Sequence, residues 1–201
     1  MKTKAFILRI KDSRSEEYAK HASESCSRVG LEWEYFQGFQ NMHAGYAWGR
    51  TGINITRSEG KERKFPSPTE HAPHIDKLPV GHIAECCSAG HAAIWKKIAD
   101  SDLDVGVVLE HDAIMLHNID SVKIPDNRIC VLGYKMTDPS RYDHVKAGPP
   151  QNYIGIGGHE GAHAYAMTRE TARLLVGELE TVGRLGCVDN AYFILNQRRT
   201  Q

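Results

Sequence analysis

The stretch "DVGVVLEHDAIML", Asp104–Leu116, decides how this chain folds. Val105 to Leu109 make a short apolar run with Gly106 inside it. The run is too brief for a helix and rich in β-branched residues, so it reads as a buried strand. It stops on Glu110-His111-Asp112 before apolar residues resume. Alternation along an extended segment points Glu110 and Asp112 to one side and His111 to the other.

The neighbouring segments say what kind of sheet this strand joins. "KAFILRI", Lys4–Ile10, reads as a second buried strand. "SRSEEYAKHASESCSRVG", Ser13–Gly30, has helix composition, with Ser13 as N-cap and Gly30 as the stop. "LEWEYFQGF", Leu31–Phe39, alternates apolar and polar residues as a strand does. Strand, helix and strand at this spacing make a βαβ unit, which predicts an α/β fold with a mostly parallel sheet flanked by helices.

Between about Asn41 and Pro79 the periodicity dissolves among glycines and prolines. Such a segment is expected to be a long loop, either a solvated surface insert or an active-site lid. Order returns in "GHIAECCSAGHAAIWKKIADSDL", where Ile83, Cys87, His91, Ile94 and Ile98 recur at helical spacing. "RICVLGY", "NYIGIGG" and "AHAYAMT" read as further strands. "RETARLLVGELETVG" is a helix capped by Thr168, and "CVDNAYFILNQ" reads as another. With no repeat or boundary visible, the expectation is a single domain over residues 1–201.

Bulk properties narrow the function. The 25 basic and 25 acidic residues balance, so no global field draws nucleic acid or an anionic membrane. Only Arg57, Lys61, Arg63 and Lys64 form a local basic cluster. Five cysteines include the adjacent pair Cys86-Cys87 but no CxxC, which suits reduced thiols in a cytoplasmic protein. The N-terminal apolar run, Ala5–Leu8, is too short for a signal peptide or a membrane span.

Two motifs bear chemistry. In an open parallel sheet, ligands bind beyond the carboxyl ends of the strands, where Glu110 and Asp112 fall. Two hard oxygen donors there suit Mn²⁺ or Mg²⁺ beside a phosphate-bearing substrate; the plainer alternative is a strand end closed by solvated acids. "HEGAH", His159–His163, formally matches the HExxH zinc-hydrolase signature, with Glu160 as its base. That chemistry needs both histidines on a helix. Gly161 inside the motif and the alternation after it speak for a turn and a strand instead.

Taken together, these segments resemble glycosyltransferase family 25, the lipooligosaccharide-type galactosyl and glucosyl transferases. The likeness runs from "FILRIKDSRSEE" to "CVDNAYF" and is weakest from Asn41 to Pro79. Leu8 to Arg14 is similar to the family's strand and Arg-containing turn, and Cys87, His91 and Trp95 keep the spacing of its Gly-Cys…Ser-His…Trp helix. Cys86 and Gly90 stand where Gly and Ser are usual. Glu110 and Asp112 match the outer acids of the family's Glu-Asp-Asp, with His111 replacing the middle one. "GAHAYAMTRETARLL" resembles its Gly-Thr-His-Ala-Tyr turn and helix, and Val188-Asp189 its closing Val-Asp.

The resemblance implies a GT-A-like, Rossmann-like fold and a nucleotide-sugar donor, UDP-linked, with transfer of a hexose and inversion at the anomeric carbon. It also implies a glycan acceptor such as lipooligosaccharide; a hydroxylated base of modified phage DNA is the one nucleic-acid alternative. A metal would be held by Asp112 with Glu110, joined by His163. Leu8, Arg9 and Arg14 would contact the nucleotide or its phosphates, while His91 would either meet the donor ribose or pack in the core. Asp189, then Glu160, would deprotonate the acceptor hydroxyl. A protein that only binds a nucleotide or glycan would share all these features but transfer nothing.

Overall fold

The computed structural model describes residues 1–40, 42–55, 80–132 and 162–188, with the backbone alone for residues 80–82. Nine elements follow in chain order: β1 (Thr3–Arg9), α1 (Ser13–Arg28), β2 (Trp33–Gln37), α2 (Ala44–Gly49), α3 (Val80–Asp100), β3 (Val105–Glu110), β4 (Cys130–Val131), β5 (Ala164–Thr168) and α4 (Arg169–Val182).

The strands form one mixed sheet in the order β2-β1-β3-β5-β4. β1 lies parallel to both β2 and β3, with Leu8 opposite Phe36 on one side and Glu110 on the other. β5 runs antiparallel to β3, pairing Tyr165 with Val108, and β4 runs antiparallel to β5. The fold is therefore α/β with a mostly parallel sheet, as expected, and consistent with a GT-A-like arrangement.

Strand alternation divides the core into two layers. Phe6, Leu8, Val108, Tyr165 and Met167 face α2, α3 and α4, where Trp48, Trp95, Ile98, Leu175 and Leu179 are buried. Ala5, Ile7, Val107, Leu109 and Ala166 face α1 and the chain after β3, meeting Ala19, Ala22, Cys26, Met115 and Ile119. Burial on both faces explains why β1 and β3 are continuous apolar runs. Gly106 permits the approach of α3, since a Cβ there would sit 2.3 Å from Cδ1 of Ile98.

Helix ends follow local chemistry. Asp12, not Ser13, caps α1: its extended backbone lets the carboxylate accept from the amides of Arg14 and Ser15, each at 3.1 Å. Gly30 ends the helix at φ +73°, as its sequence position foretold. Thr168 caps α4 and accepts from the Thr171 amide at 3.2 Å.

Two expectations need correction. The stretch after Asn41 does not begin as a structureless loop: α2 forms at Ala44–Gly49 and buries Trp48 against the core. Among the described residues of "RICVLGY", 128–132, the strand is confined to Cys130–Val131, although the Leu132 amide still donates to the Ala164 carbonyl at 2.9 Å. Residues 56–79, with the basic cluster, lie outside the described residues, as do "NYIGIGG" and the helix expected after Val188.

Candidate active site

Because β1, β2 and β3 are parallel, their carboxyl ends open on the same edge of the sheet. A cleft of about 890 Å³ lies there, within the usual range for small-molecule sites. Leu8 to Asp12 line one wall, Phe39 and Met42 another, and Cys87 and Gly90 of α3 a third; Glu110 and His111 come from the end of β3. Gly90 keeps the helix close, since a Cβ there would meet Leu8 at 3.2 Å.

Glu110 anchors the inner end of this edge. Its amide donates to the His163 carbonyl at 2.7 Å, which fixes the last residue of β3 against the start of β5. Its Oε1 lies 3.3 Å from Nε2 of His91 and 3.9 Å from Sγ of Cys87. Cys87 and His91 are four residues apart on α3, so both project from one helix face. Behind them, His91 Nδ1 lies 2.7 Å from the Tyr165 hydroxyl, whose oxygen accepts from Trp95 Nε1 at 2.8 Å.

This chain of contacts satisfies a wholly buried imidazole. In the neutral form, the Tyr165 hydroxyl donates to Nδ1 and Nε2–H donates to Glu110; in the charged form, both ring N–H groups donate. Burial works against a charged imidazole, but the Tyr165 oxygen, Cys87 and Glu110 outweigh it and hold His91 well above its ordinary value. Burial likewise pushes the Glu110 carboxyl up. The hydrogen bond and charge of His91, with lesser help from His163 and His111, override this and hold it below the usual range.

The remaining residues named from sequence fall in different places. Leu8 and Arg9 line the cleft, and the Arg9 guanidinium lies over the Tyr35 ring, 4.0 Å from its centroid. Arg14 is exposed on α1, where its Nε donates to the Tyr18 hydroxyl at 3.3 Å, and it does not line the cleft. His91 takes the core-packed alternative, with its Nε2 edge toward Glu110.

The alternation expected to carry Asp112 beside Glu110 fails for a physical reason. β3 ends at Glu110, and the chain turns at once, with the Ala113 amide donating to the Glu110 carbonyl at 3.0 Å. Asp112 is left exposed on this turn, and His111 lines the cleft beside Glu110. The His111 ring stacks on Tyr18 at 6.1 Å between centroids. His163 precedes β5, and its buried Nδ1 has no partner among the described residues.

His163 stands in a bend and then a strand, so the helix that a HExxH zinc site requires is missing at its second histidine. His159, Glu160 and Asp189 lie outside the described residues. Among the described residues, the side chains whose metal-ligating atoms all fall within 4.8 Å of one another are Cys87, His91 and Glu110. Sequence reading did not treat Cys87 as a ligand, although its place one helical turn before His91 was the available signal.

No helix among the described residues is long and apolar enough to cross a membrane. No individually curated protein matches the chain significantly. Residues 3–191 match the family model described as glycosyltransferase family 25 (LPS biosynthesis protein). With nearly its whole length matched and a mostly parallel sheet presenting a cleft at its carboxyl edge, this chain belongs to glycosyltransferase family 25.

Proposed function

We propose that the protein is a divalent-metal-dependent, inverting hexosyltransferase of GT-A type, using a nucleotide sugar, UDP-linked, and a hydroxyl of a glycan acceptor such as lipooligosaccharide. The observation that carries this reading is the cleft at the carboxyl edge of β1 and β3 with the Glu110 carboxylate on its wall. Such edges are where open α/β sheets bind their ligands.

We assign a hard divalent cation to the acids at and just after the end of β3, on the resemblance to the family's acidic motif. Glu110 on the cleft wall and Asp112, exposed on the turn two residues on, would supply carboxylate oxygens, and the buried Nδ1 of His163, without a partner among the described residues, an imidazole donor. Bound there, Mn²⁺ or Mg²⁺ would offset charge on the departing diphosphate. Arg9 and Lys11 line the same cleft and add cationic groups for phosphate oxygens. His91, held by Tyr165, keeps the Glu110 carboxylate oriented and ionised.

Inversion by single displacement calls for a carboxylate that takes the acceptor proton as the hydroxyl attacks. We assign that role to Asp189, on the resemblance of Val188-Asp189 to the family's closing Val-Asp, with Glu160 as second candidate.

Calorimetric titration with UDP, with and without Mn²⁺, tests the reading. UDP binding that needs the metal and is lost in Asp112→Asn supports it, and screening of UDP-hexoses for donor turnover then follows. Metal-independent binding, or unchanged transfer by Asp112→Asn, overturns the metal assignment.

A further inference from the structure

We infer that Cys87, His91 and Glu110 form a binding site for a thiophilic transition metal, zinc foremost, distinct from the hard-cation set of Glu110, Asp112 and His163. The two sets share only Glu110, and the inference does not depend on what the cleft transfers.

Geometry is the first argument. His91 Nε2 to Glu110 Oε1 is 3.3 Å, Cys87 Sγ to Glu110 Oε1 is 3.9 Å, and all three ligand atoms lie within 4.8 Å of one another. A tetrahedral zinc with bonds of about 2.0–2.3 Å has ligand–ligand edges of roughly 3.3–3.8 Å. The His91–Glu110 edge already has that length, while the Cys87 edges, 3.9 Å to Glu110 and within 4.8 Å to His91, shorten by movement of the thiol on its half-buried side chain.

The second argument is support from behind. Metal-binding imidazoles are held by a hydrogen bond at the nitrogen that does not bind the metal. Here His91 Nδ1 is fixed by Tyr165, and Tyr165 by Trp95, all three buried. This turns Nε2 toward Cys87 and Glu110, and the proton placed on Nδ1 can face the Tyr165 oxygen.

The third argument is charge and access. On binding, the Cys87 S–H bond breaks, its proton leaves to solvent, and the sulfur lone pair forms the metal bond. Thiolate and carboxylate together then neutralise a dication at a poorly solvated position. Cys87 and Glu110 both line the cleft, which gives the ion a route in and leaves a fourth position facing the ligand space. Sulfur and nitrogen donors favour Zn²⁺ or Co²⁺ over Mg²⁺ and Ca²⁺. Zinc would thereby take Glu110 away from a hard cation.

The test is a Co²⁺ titration of the chelator-treated full chain, followed in the near-ultraviolet and visible. A thiolate-to-cobalt charge-transfer band should rise to one equivalent and disappear when Zn²⁺ is added. Cys87→Ser should abolish the band, whereas Cys86→Ser and Asp112→Asn should keep it. Absence of the band from the unmodified protein, or its persistence in Cys87→Ser, overturns the inference. Neither outcome depends on UDP binding, so failure here is separable from failure of the transferase reading.

Discussion

Nε2 of His91 lies 3.3 Å from Oε1 of Glu110, joining the middle of α3 to the last residue of β3 at the floor of the cleft. The imidazole is wholly buried, whereas the carboxylate side chain keeps 29% exposure toward the cleft. The pair is thus structural on one side and available for chemistry on the other.

That asymmetry separates two acids that look equivalent in sequence. Glu110→Gln removes a charged acceptor from the buried His91, and a hydrogen bond to a charged group is worth about 1.5–3 kcal/mol. Asp112→Asn alters an exposed turn residue and should change stability by less than about 0.5 kcal/mol. Urea unfolding of both variants checks this. Both should lose metal-supported UDP binding, but only Glu110→Gln should also lose stability.

The approach of α3 to the sheet depends on Gly106. A Cβ there would lie 2.3 Å from Cδ1, 2.5 Å from Cγ1 and 3.1 Å from Cγ2 of Ile98, which is itself fully buried. Gly106→Ala should cost roughly 1–3 kcal/mol by overpacking. Ile98→Ala alone should destabilise by leaving a cavity, yet in the double variant the two changes should offset each other in part. Strict additivity in thermal unfolding would show that the clash does not govern the cost.

Trp48 offers a similar test for α2. Its side chain is 2% exposed and belongs to the core layer of Trp95 and Leu179. Trp48→Ala should cost about 3–5 kcal/mol, as large-to-small changes at buried aromatics do. Trp48→Phe should cost less, because the buried indole N–H has no partner among the described residues to lose. A loss below about 1 kcal/mol for the alanine variant would mean that α2 contributes little to the fold.

How far the sequence foretold all this depends on the range of each signal. The apolar runs of β1 and β3 were legible because burial on both faces leaves no polar position, and the Thr168 cap because capping is local chemistry. α2 was hidden because a six-residue helix, Ala44–Gly49, that includes two glycines shows no sustained period. Its stability comes from Trp48 packing on a distant element, which sequence spacing does not encode. Asp112 was misplaced beside Glu110 because alternation holds only while the strand lasts, and the turn at His111 ends it. The Cys87–His91–Glu110 grouping joins a helix to a strand end, so only half of it, the four-residue spacing, was visible in one segment.

Glu34, which bridges two lysines, should add to the acid sensitivity of the fold. Its Oε1 lies 2.5 Å from Lys97 Nζ and its Oε2 3.1 Å from Lys4 Nζ, linking β2 to α3 and β1. Burial raises the carboxyl, but the two ammonium groups more than compensate and hold it below its ordinary value of 4.5. A carboxyl lowered in the folded state contributes stability that is present above the unfolded value and lost as pH falls through the folded one. Glu34→Gln should therefore be less stable than the unmodified protein at neutral pH, by about 0.5–1 kcal/mol for a partly exposed pair. The difference should shrink as pH drops below 4.5 and vanish once the native carboxyl is protonated. Urea midpoints across that range give the answer: a gap that stays constant into acid would mean the variant acts through packing, with no role for the ionised pair.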